Sequence, residues 1–137
     1  MHKELEQKLV EQWPSWFNTK GDFRYTGMTL GFTHDDGWFE IIWRLCADLE
    51  PLVAEFEQET GSQFEVLQVK EKFGGLRFYV NCRRNDAIRQ RILAAIEESF
   101  HTCEVCGQPG KLRENGLIKT LCDEHANECE ASNHAEL

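Results

Sequence analysis

The residues with the clearest chemical potential lie near the C-terminal end of the 137-residue chain. Cys103, Cys106, Cys122 and His125 follow the pattern C-x2-C-x15-C-x2-H. Three thiolates and one imidazole are a donor set typical of tetrahedral Zn²⁺, and a site with four protein ligands has no open position for water or substrate. The sequence therefore predicts one structural Zn²⁺ ion held by these four residues.

The residues between the ligands favour a known order of elements. Gly107 directly after the first cysteine pair allows a tight knuckle, and Asn115-Gly116 is a type I′ hairpin signal. Cys122 and His125 lie three residues apart, so they share one face if a helix begins near Cys122. Knuckle, hairpin and helix in this order resemble the treble-clef zinc fold.

Other donors near this pattern leave alternatives open. The chain has six cysteines, and four of them lie between Cys103 and Leu137. Cys129, one helical turn beyond His125, is an alternative ligand to it, and His101 adjoins the knuckle. Cys46 falls on the apolar side of a predicted helix, where a buried thiol is expected.

The elements that must position the ligands follow from hydrophobic periodicity. The spacing predicts helices over Lys3 to Trp13 and Trp38 to Glu59. Between them lies an irregular aromatic segment with a short strand within Phe23 to Phe32. We expect Asp35 or Asp36 to cap the long helix, Gly61 to end it and Pro51 to kink or split it.

The next segment, Phe64 to Asn81, is predicted to form a β-hairpin. Leu67 and Val69 share one strand face, and Gly74-Gly75 supply the positive φ angles of the turn. Asn85 or Asp86 then caps a helix that runs to about Phe100. The predicted fold class is α+β: helices pack on the hairpin in a body of residues 1–100, followed by a treble-clef-like zinc module of residues 101–137.

A second cluster has potential for metal or acid–base chemistry. His34-Asp35-Asp36-Gly37 precedes the long helix. The alternative is that one aspartate caps the helix and the glycine makes the turn. A metal-dependent nuclease needs a histidine base and further metal ligands, whereas His125 is already assigned to zinc. No catalytic residue is therefore predicted.

Charge is distributed unevenly along a chain of net charge -9. Residues 70–91 contain seven basic and only two acidic residues. Such segregation can create a basic face that contacts nucleic acid or an acidic partner. The alternative is a solvated face whose cations pair with acids elsewhere. The candidate contact residues are Lys70, Lys72, Arg77, Arg83 and Arg84.

The location of the protein is expected from the absence of membrane and export signals. No apolar run reaches the roughly 20 residues of a membrane span, and the N-terminal residues are polar. We expect a cytoplasmic protein that binds no membrane. Its oligomeric state does not follow from the sequence.

Four stretches carry a resemblance that covers most of the chain: "WPSWF" at Trp13 to Phe17, "HDDGWFEIIWRLC" at His34 to Cys46, "VLQVKEKFGGLRFYV" at Val66 to Val80, and "TCEVCGQPG" with "TLCDEHA" at Thr102 to Ala126. They resemble a family of small proteins encoded by tailed bacteriophages and prophages, for which no activity is established. The resemblance implies an accessory protein made in the bacterial cytoplasm.

The function expected from these observations is binding rather than catalysis. We expect a zinc-stabilised phage protein that binds a host or phage macromolecule and inhibits host machinery or antiviral defence. The alternative is a nucleic-acid-binding protein that uses the basic segment. Trp16, Phe17 and Trp38 are candidate interface anchors, with core packing as the alternative.

Overall fold

The computed structural model describes residues 1–19, 27–82, 84–114 and 116–128 of the chain. Three helices and two antiparallel β-hairpins form the α+β fold that the sequence predicts. A final helical stretch covers residues 123–128. The elements are α1 (Lys3–Gln12), α2 (Phe39–Thr60), β1 (Val66–Lys72), β2 (Gly75–Val80), α3 (Asp86–Ser99), β3 (Lys111–Arg113) and β4 (Lys119–Leu121).

The turn of the β1–β2 hairpin lies one residue earlier than predicted. Phe73 and Gly74 have φ angles of 53° and 83°, and Lys72 pairs with Gly75 as the first rung of the ladder. Gly75 therefore belongs to β2. A Cβ atom at Gly75 would overlap the ring of Phe100, so the second glycine serves close packing rather than the turn.

The buried face of β1 also differs from the prediction. Val66 pairs with Val80 and Gln68 with Tyr79, so a bulge places Leu67 between two rungs. Val66 and Val69 are the buried residues of β1, whereas Leu67 is half-buried. The expected alternation failed because an extra residue in one strand shifts the side-chain alternation beyond it.

The start of α2 is not capped by an aspartate. A short 3-10 turn at Asp36–Trp38 precedes the helix, and neither Asp35 nor Asp36 caps it through a side-chain hydrogen bond. The Asp36 carboxylate instead accepts a hydrogen bond from the His2 amide at 2.7 Å. The predicted end is confirmed: Gly61 has φ 70°, and its amide donates to the Glu57 carbonyl at 2.9 Å.

Pro51 does not split α2, which is continuous from Phe39 to Thr60. A proline removes the hydrogen bond to the carbonyl four residues earlier, which here belongs to Ala47. Pro51 and Ala47 both lie on the exposed side of the helix. Water can therefore reach the carbonyl that lacks its helical partner.

The main core lies between the helices and the inner face of the first hairpin. Trp38 and Cys46 are fully buried there, and Trp16 and Phe17 are also buried. The three aromatic residues are core residues, so their assignment as interface anchors was wrong. The Cys46 prediction is confirmed, and burial raises the pKa of its thiol.

Two further predictions concern the cap of α3 and a strand in the aromatic segment. Asn85 caps α3, since its Oδ1 atom accepts a hydrogen bond from the Ile88 amide at 3.0 Å. The strand within Phe23 to Phe32 is wrong over its described part, because Gly27–Leu30 forms a 3-10 turn. Residues 23–26 lie outside the described residues.

Candidate metal centre

The first two candidate ligands lie on a tight knuckle that follows α3. The Cys103 amide donates to the Gln108 carbonyl at 2.8 Å, and the Gly107 amide donates to the Cys103 carbonyl at 2.9 Å. Gly107 has a φ of 81°, a conformation that glycine adopts without strain. The knuckle therefore directs the Cys103 and Cys106 sulfurs to one side, as the sequence predicts.

The other two candidate ligands lie where β4 passes into the final helix. Cys122 immediately precedes the helical residues 123–128, and its carbonyl accepts a hydrogen bond from the Ala126 amide at 2.9 Å. His125 occupies the first turn of this helix. The order of knuckle, β3–β4 hairpin and helix is the order predicted from the sequence.

The four side chains converge on one point. One ligand atom from each of Cys103, Cys106, Cys122 and His125 lies within 4.8 Å of the other three. The Cys106 and Cys122 sulfurs are 3.8 Å apart. The His125 Nδ1 atom lies 3.6 Å from the Cys103 sulfur and 3.2 Å from the Cys122 sulfur. This cluster can hold a metal ion.

The environment of the cluster favours negative charge on the Cys103 sulfur and opposes it on the Cys106 sulfur. Burial raises the pKa of Cys103, but hydrogen bonds from the backbone amides of Cys122, Cys106 and Val105 outweigh it, so the pKa is lowered. The pKa of Cys106 is raised: the Gln108 amide lowers it, but desolvation and the adjacent cysteine sulfurs oppose a second thiolate more strongly. A bound cation would remove that repulsion.

His125 presents one nitrogen to the sulfurs and the other to a carboxylate. The pKa of His125 is raised, first by its hydrogen bond with the Cys122 sulfur. Its Nε2 atom lies 3.9 Å from the Glu128 carboxylate. Metal-bound histidines commonly direct their second nitrogen to a carboxylate, which fixes the ring orientation.

The backbone around the knuckle is joined to the segment that precedes α2. The Gly37 amide donates to the Glu104 carbonyl at 2.6 Å, and the Trp38 indole donates to the Thr102 carbonyl at 2.9 Å. A Cβ atom at Gly37 would overlap the carbonyl oxygens of Cys103 and Glu104. Direct backbone contact therefore fixes the position of the cluster relative to the start of α2.

An ion triad with one buried and two half-buried members also connects the cluster region with the first hairpin. The Lys119 ammonium lies 3.1 Å from the Glu71 carboxylate and 3.3 Å from the Glu104 carboxylate. Burial raises the pKa of Glu104, while the Asp35 amide and Lys119 oppose the rise. Sequence analysis missed this triad; the position of Glu104 between two ligands was the one local signal for it.

The cluster at His34, Asp35 and Asp36 does not form a second centre. Within the described ranges, the group of residues 103, 106, 122 and 125 is the one set that could hold a metal. His34 is buried, with its Nδ1 atom 2.7 Å from the Asp35 carbonyl, and the Asp36 carboxylate contacts His2. The alternative capping role was also wrong, as described above.

Of the two other donors near the cluster, only His101 is described, and it takes no part in the cluster. His101 is exposed, and its Nε2 atom lies 3.2 Å from the Glu97 carboxylate. Cys129 lies outside the described residues, and so does Asn115 of the predicted hairpin turn. The five described cysteines are free thiols.

The predicted basic contact residues lie on the first hairpin and before α3. Lys70 pairs with Arg77 across the ladder, and the Lys70 ammonium lies 5.8 Å from the centre of the Tyr79 ring. The Lys72 ammonium lies 5.7 Å from the centre of the Phe73 ring. Arg84 is exposed, and Arg83 lies outside the described residues.

Comparisons with known proteins identify no family for this chain, so its function is inferred from the structure. No protein-family model, curated protein or solved structure matches the chain. Among the helices that the structure describes, none combines the length and the apolar character needed to cross a membrane.

Proposed function

We propose that Cys103, Cys106, Cys122 and His125 bind one Zn²⁺ ion that stabilises the fold. The ligand spacing supports zinc. With Zn–S near 2.3 Å and Zn–N near 2.0–2.1 Å, tetrahedral coordination separates two sulfurs by about 3.8 Å and a sulfur from a nitrogen by about 3.6 Å. The separations given above are 3.8 Å for Cys106–Cys122 and 3.6 Å for Cys103–His125, which match these values, while the 3.2 Å between Cys122 and His125 is shorter. Four protein ligands complete the site, so the ion's role is structural.

The zinc assignment predicts a stoichiometry that elemental analysis can measure. We expect one equivalent of zinc per chain in purified protein, and Cys103→Ser should lower both the zinc content and the melting temperature. Cys82→Ala is the matched control, because Cys82 is also a buried free thiol but lies outside the cluster. Less than half an equivalent in the unmodified protein, or equal zinc loss in both variants, would contradict the assignment.

We further propose that the protein is a non-enzymatic phage accessory protein that binds a host or phage macromolecule in the bacterial cytoplasm. The observation that carries the proposal is a set of cations without ion-pair partners. In the described part of the chain, no carboxylate pairs with Lys70, Lys72, Arg77 or Arg84. Elsewhere in that part, Arg44, Arg113 and Lys119 form such pairs, whereas Lys3, Lys8, Arg89, Arg91 and Lys111 do not.

These cations belong to what we term the basic face: Lys70, Lys72, Arg77 and Tyr79 of the hairpin, with Arg84 before α3. An acidic protein that leaves this many cations unpaired offers a complementary surface to a negatively charged partner. The phage resemblance favours a target in the host, such as its machinery or its antiviral defence. A partner protein is the first candidate.

Charge reversal tests the binding proposal. The Lys70→Glu/Arg77→Glu variant should recover its partner from bacterial lysate at least about tenfold less well than the unmodified protein, because opposite charge at an interface becomes like charge. Lys3→Glu/Lys8→Glu is the control with the same change in net charge on exposed residues of α1. Equal recovery by the two double variants would exclude the basic face as the binding surface.

Nucleic acid is the second candidate partner, and a specific contact favours it. Tyr79 and Phe73 lie beside lysine ammonium groups, and alternating aromatic and basic residues can bind single strands. Binding of single-stranded DNA or RNA oligonucleotides should then weaken steeply with salt. Each phosphate-contacting cation that is removed should reduce the salt slope by about one. Unchanged oligonucleotide mobility at low salt would exclude this candidate.

A further inference from the structure

The outer edge of β2 is an open strand edge over its second half. In an antiparallel ladder, alternate residues direct their backbone groups toward the neighbouring strand. Lys72 and Gly75 form the first rung, so Gly75, Arg77 and Tyr79 face β1, and the residues between them face away. The Leu76 amide accordingly donates to the Ser99 hydroxyl at 2.9 Å on the other side.

Phe78 and Val80 continue this outward row. Within the described residues, no hydrogen bond outside the ladder reaches the backbone amide or carbonyl of either residue. Their spacing of two residues is the repeat at which an added strand exchanges hydrogen bonds with an edge. The contact with Ser99 closes one end of this edge, and the other end remains available.

A groove runs beside the same stretch of strand. It has a volume of about 420 Å³ and lies between β2 and α3. Its walls are mostly apolar, and Leu93 contributes a side chain that is 46% exposed. The lining residues are Phe78, Tyr79, Val80, Cys82, Arg89, Ile92 and Leu93. Open backbone groups and an apolar groove therefore lie side by side.

The charge of the groove selects among possible occupants. Arg89 is the charged residue in its lining, and no carboxylate of the described chain pairs with it. The Lys70 ammonium lies over Tyr79, which also lines the groove. None of the described residues that line it is acidic. The surroundings are therefore complementary to an apolar side chain followed by a carboxylate.

We propose that this groove binds an extended peptide segment of a partner protein, which adds to β2 as a third strand. The peptide backbone pairs with Phe78 and Val80, an apolar side chain enters the groove, and an acidic side chain pairs with Arg89. Main-chain pairing supplies affinity and the side-chain contacts supply specificity in this mode of recognition. The inference rests on the proposed binding function and names its site and partner class.

A peptide fits these groups better than a nucleic acid does. Phe78 and Val80 offer amide donors and carbonyl acceptors in alternation, which is the complement of another polypeptide backbone. A nucleic-acid strand would instead need successive cations along the groove for its phosphates. Among the described residues, the groove lining contains one cation, Arg89.

A displayed library of random decapeptides, selected on the zinc-loaded full chain, tests the proposal. Enriched sequences should place an acidic residue next to an apolar one. A synthetic peptide of the enriched sequence should slow hydrogen exchange at the Phe78 and Val80 amides. Arg89→Glu and Leu93→Glu should each weaken its binding at least about tenfold. Arg91→Glu, an exposed arginine of α3 outside the groove lining, should change binding less than about twofold.

Several results would overturn the proposal. The proposal is wrong if selection on the unmodified protein enriches no sequence that selection on the Arg89→Glu protein does not also enrich. It is also wrong if a bound peptide leaves the Phe78 and Val80 amides unprotected from hydrogen exchange. A dimer in sedimentation that protects these amides without peptide would assign the edge to a second copy of the chain. Protection of the same amides by an oligonucleotide, with no peptide enriched, would assign the groove to nucleic acid.

The peptide-groove proposal and the proposed binding function can be contradicted independently of each other. If Lys70→Glu/Arg77→Glu abolishes partner recovery while Arg89→Glu and Leu93→Glu retain it, the groove inference is wrong and the binding function stands. If selected peptides bind the groove but the basic-face variant still recovers its partner fully, the assignment of the basic face is wrong instead.

Discussion

His34 is a histidine held in its neutral form inside the protein. Its side chain is buried, and its Nε2 atom has no hydrogen-bond partner among the described residues. Burial lowers its pKa from 6.5 to about 4, although its bond to the Asp35 carbonyl and the nearby aspartates oppose the shift. The unfolded chain would bind a proton at His34 more readily than the folded chain does.

This difference predicts a loss of stability in acid. Between pH 6.5 and about 4 the unfolded state binds more protons at His34, so the free energy of unfolding falls as the pH falls through this window. From pH 7 to pH 4.5 the loss should be about 2 kcal/mol, at 1.36 kcal/mol per pKa unit. His34→Leu should lack this part of the loss in urea unfolding at the two pH values.

The comparison of the two proteins isolates the histidine. Both contain the same four candidate metal ligands, so acid release of a bound metal would contribute equally and cancel in the difference. Equal losses of stability in the unmodified protein and in His34→Leu would contradict the neutral, buried state of the ring.

At the level of single residues, the sequence spacing predicted the four cluster residues but not the charged residues that pair beside them. Short, fixed spacings brought Cys103 and Cys106 together on one knuckle, and Cys122 and His125 together at one helix start. Glu104 and Lys119 were missed because their pairing depends on which surfaces become buried. No local spacing encodes that contact.

At the level of elements, some glycines lie where two backbone segments pack closely together. Gly37 lies directly against the knuckle, where an added Cβ would overlap two carbonyl oxygens of the chain. Gly61 has a left-handed φ of 70° but no atom within 4 Å of an added Cβ. The two positions therefore separate the effect of close packing from that of backbone conformation.

Alanine substitution at these glycines should give different losses of stability. Gly61→Ala should lower the free energy of unfolding by about 1 kcal/mol, through left-handed strain alone. Gly37→Ala should lower it by about 3 kcal/mol or more, because backbone atoms must separate. Denaturant unfolding of the two variants measures the difference. Equal losses would show that the Gly37 contact contributes nothing to stability.

The elements themselves were largely predictable, whereas their details depended on tertiary contacts. Apolar periodicity located α2 and α3, and Gly61 marked the end of α2. The turn was misplaced by one residue because Gly74 and Gly75 can each adopt positive φ, and tertiary contacts with Leu112 and Phe100 surround the two positions. The bulge at Leu67 likewise has no signal in the local sequence.

In the whole molecule, the metal cluster is joined to the body through hydrogen bonds across long sequence separations. Trp38 and Thr102 are 64 residues apart, and Thr120 donates from its hydroxyl to the Gly74 carbonyl at 2.6 Å. These bonds, together with the Lys119 triad, connect the knuckle and β4 to both α2 and the first hairpin. The division into a body of residues 1–100 and a module of residues 101–137, joined as one continuous unit, stays a prediction.

Removal of a bound metal should increase local opening where the knuckle contacts the start of α2, before it affects distant parts of the core. With a chelator present, we expect the Trp38 indole proton to exchange faster with solvent, because the Thr102 carbonyl belongs to the metal-dependent segment. The Trp13 indole, which donates to the Glu50 carboxylate at 2.8 Å, is an internal control. Proton–nitrogen spectra resolve the two signals. Unchanged exchange at Trp38 would contradict the dependence of this surface on the metal.

The bond between the Trp38 indole and the Thr102 carbonyl also has a consequence for biosynthesis. While the ribosome is still adding residues 39–101, a nascent chain has no partner for that indole, and the segment before α2 lacks the carbonyl that the Gly37 amide requires. The start of α2 can therefore reach its final arrangement only after the knuckle has been translated. A ribosome that stalls before Thr102 leaves the Trp38 N–H group and the Gly37 amide without their acceptors.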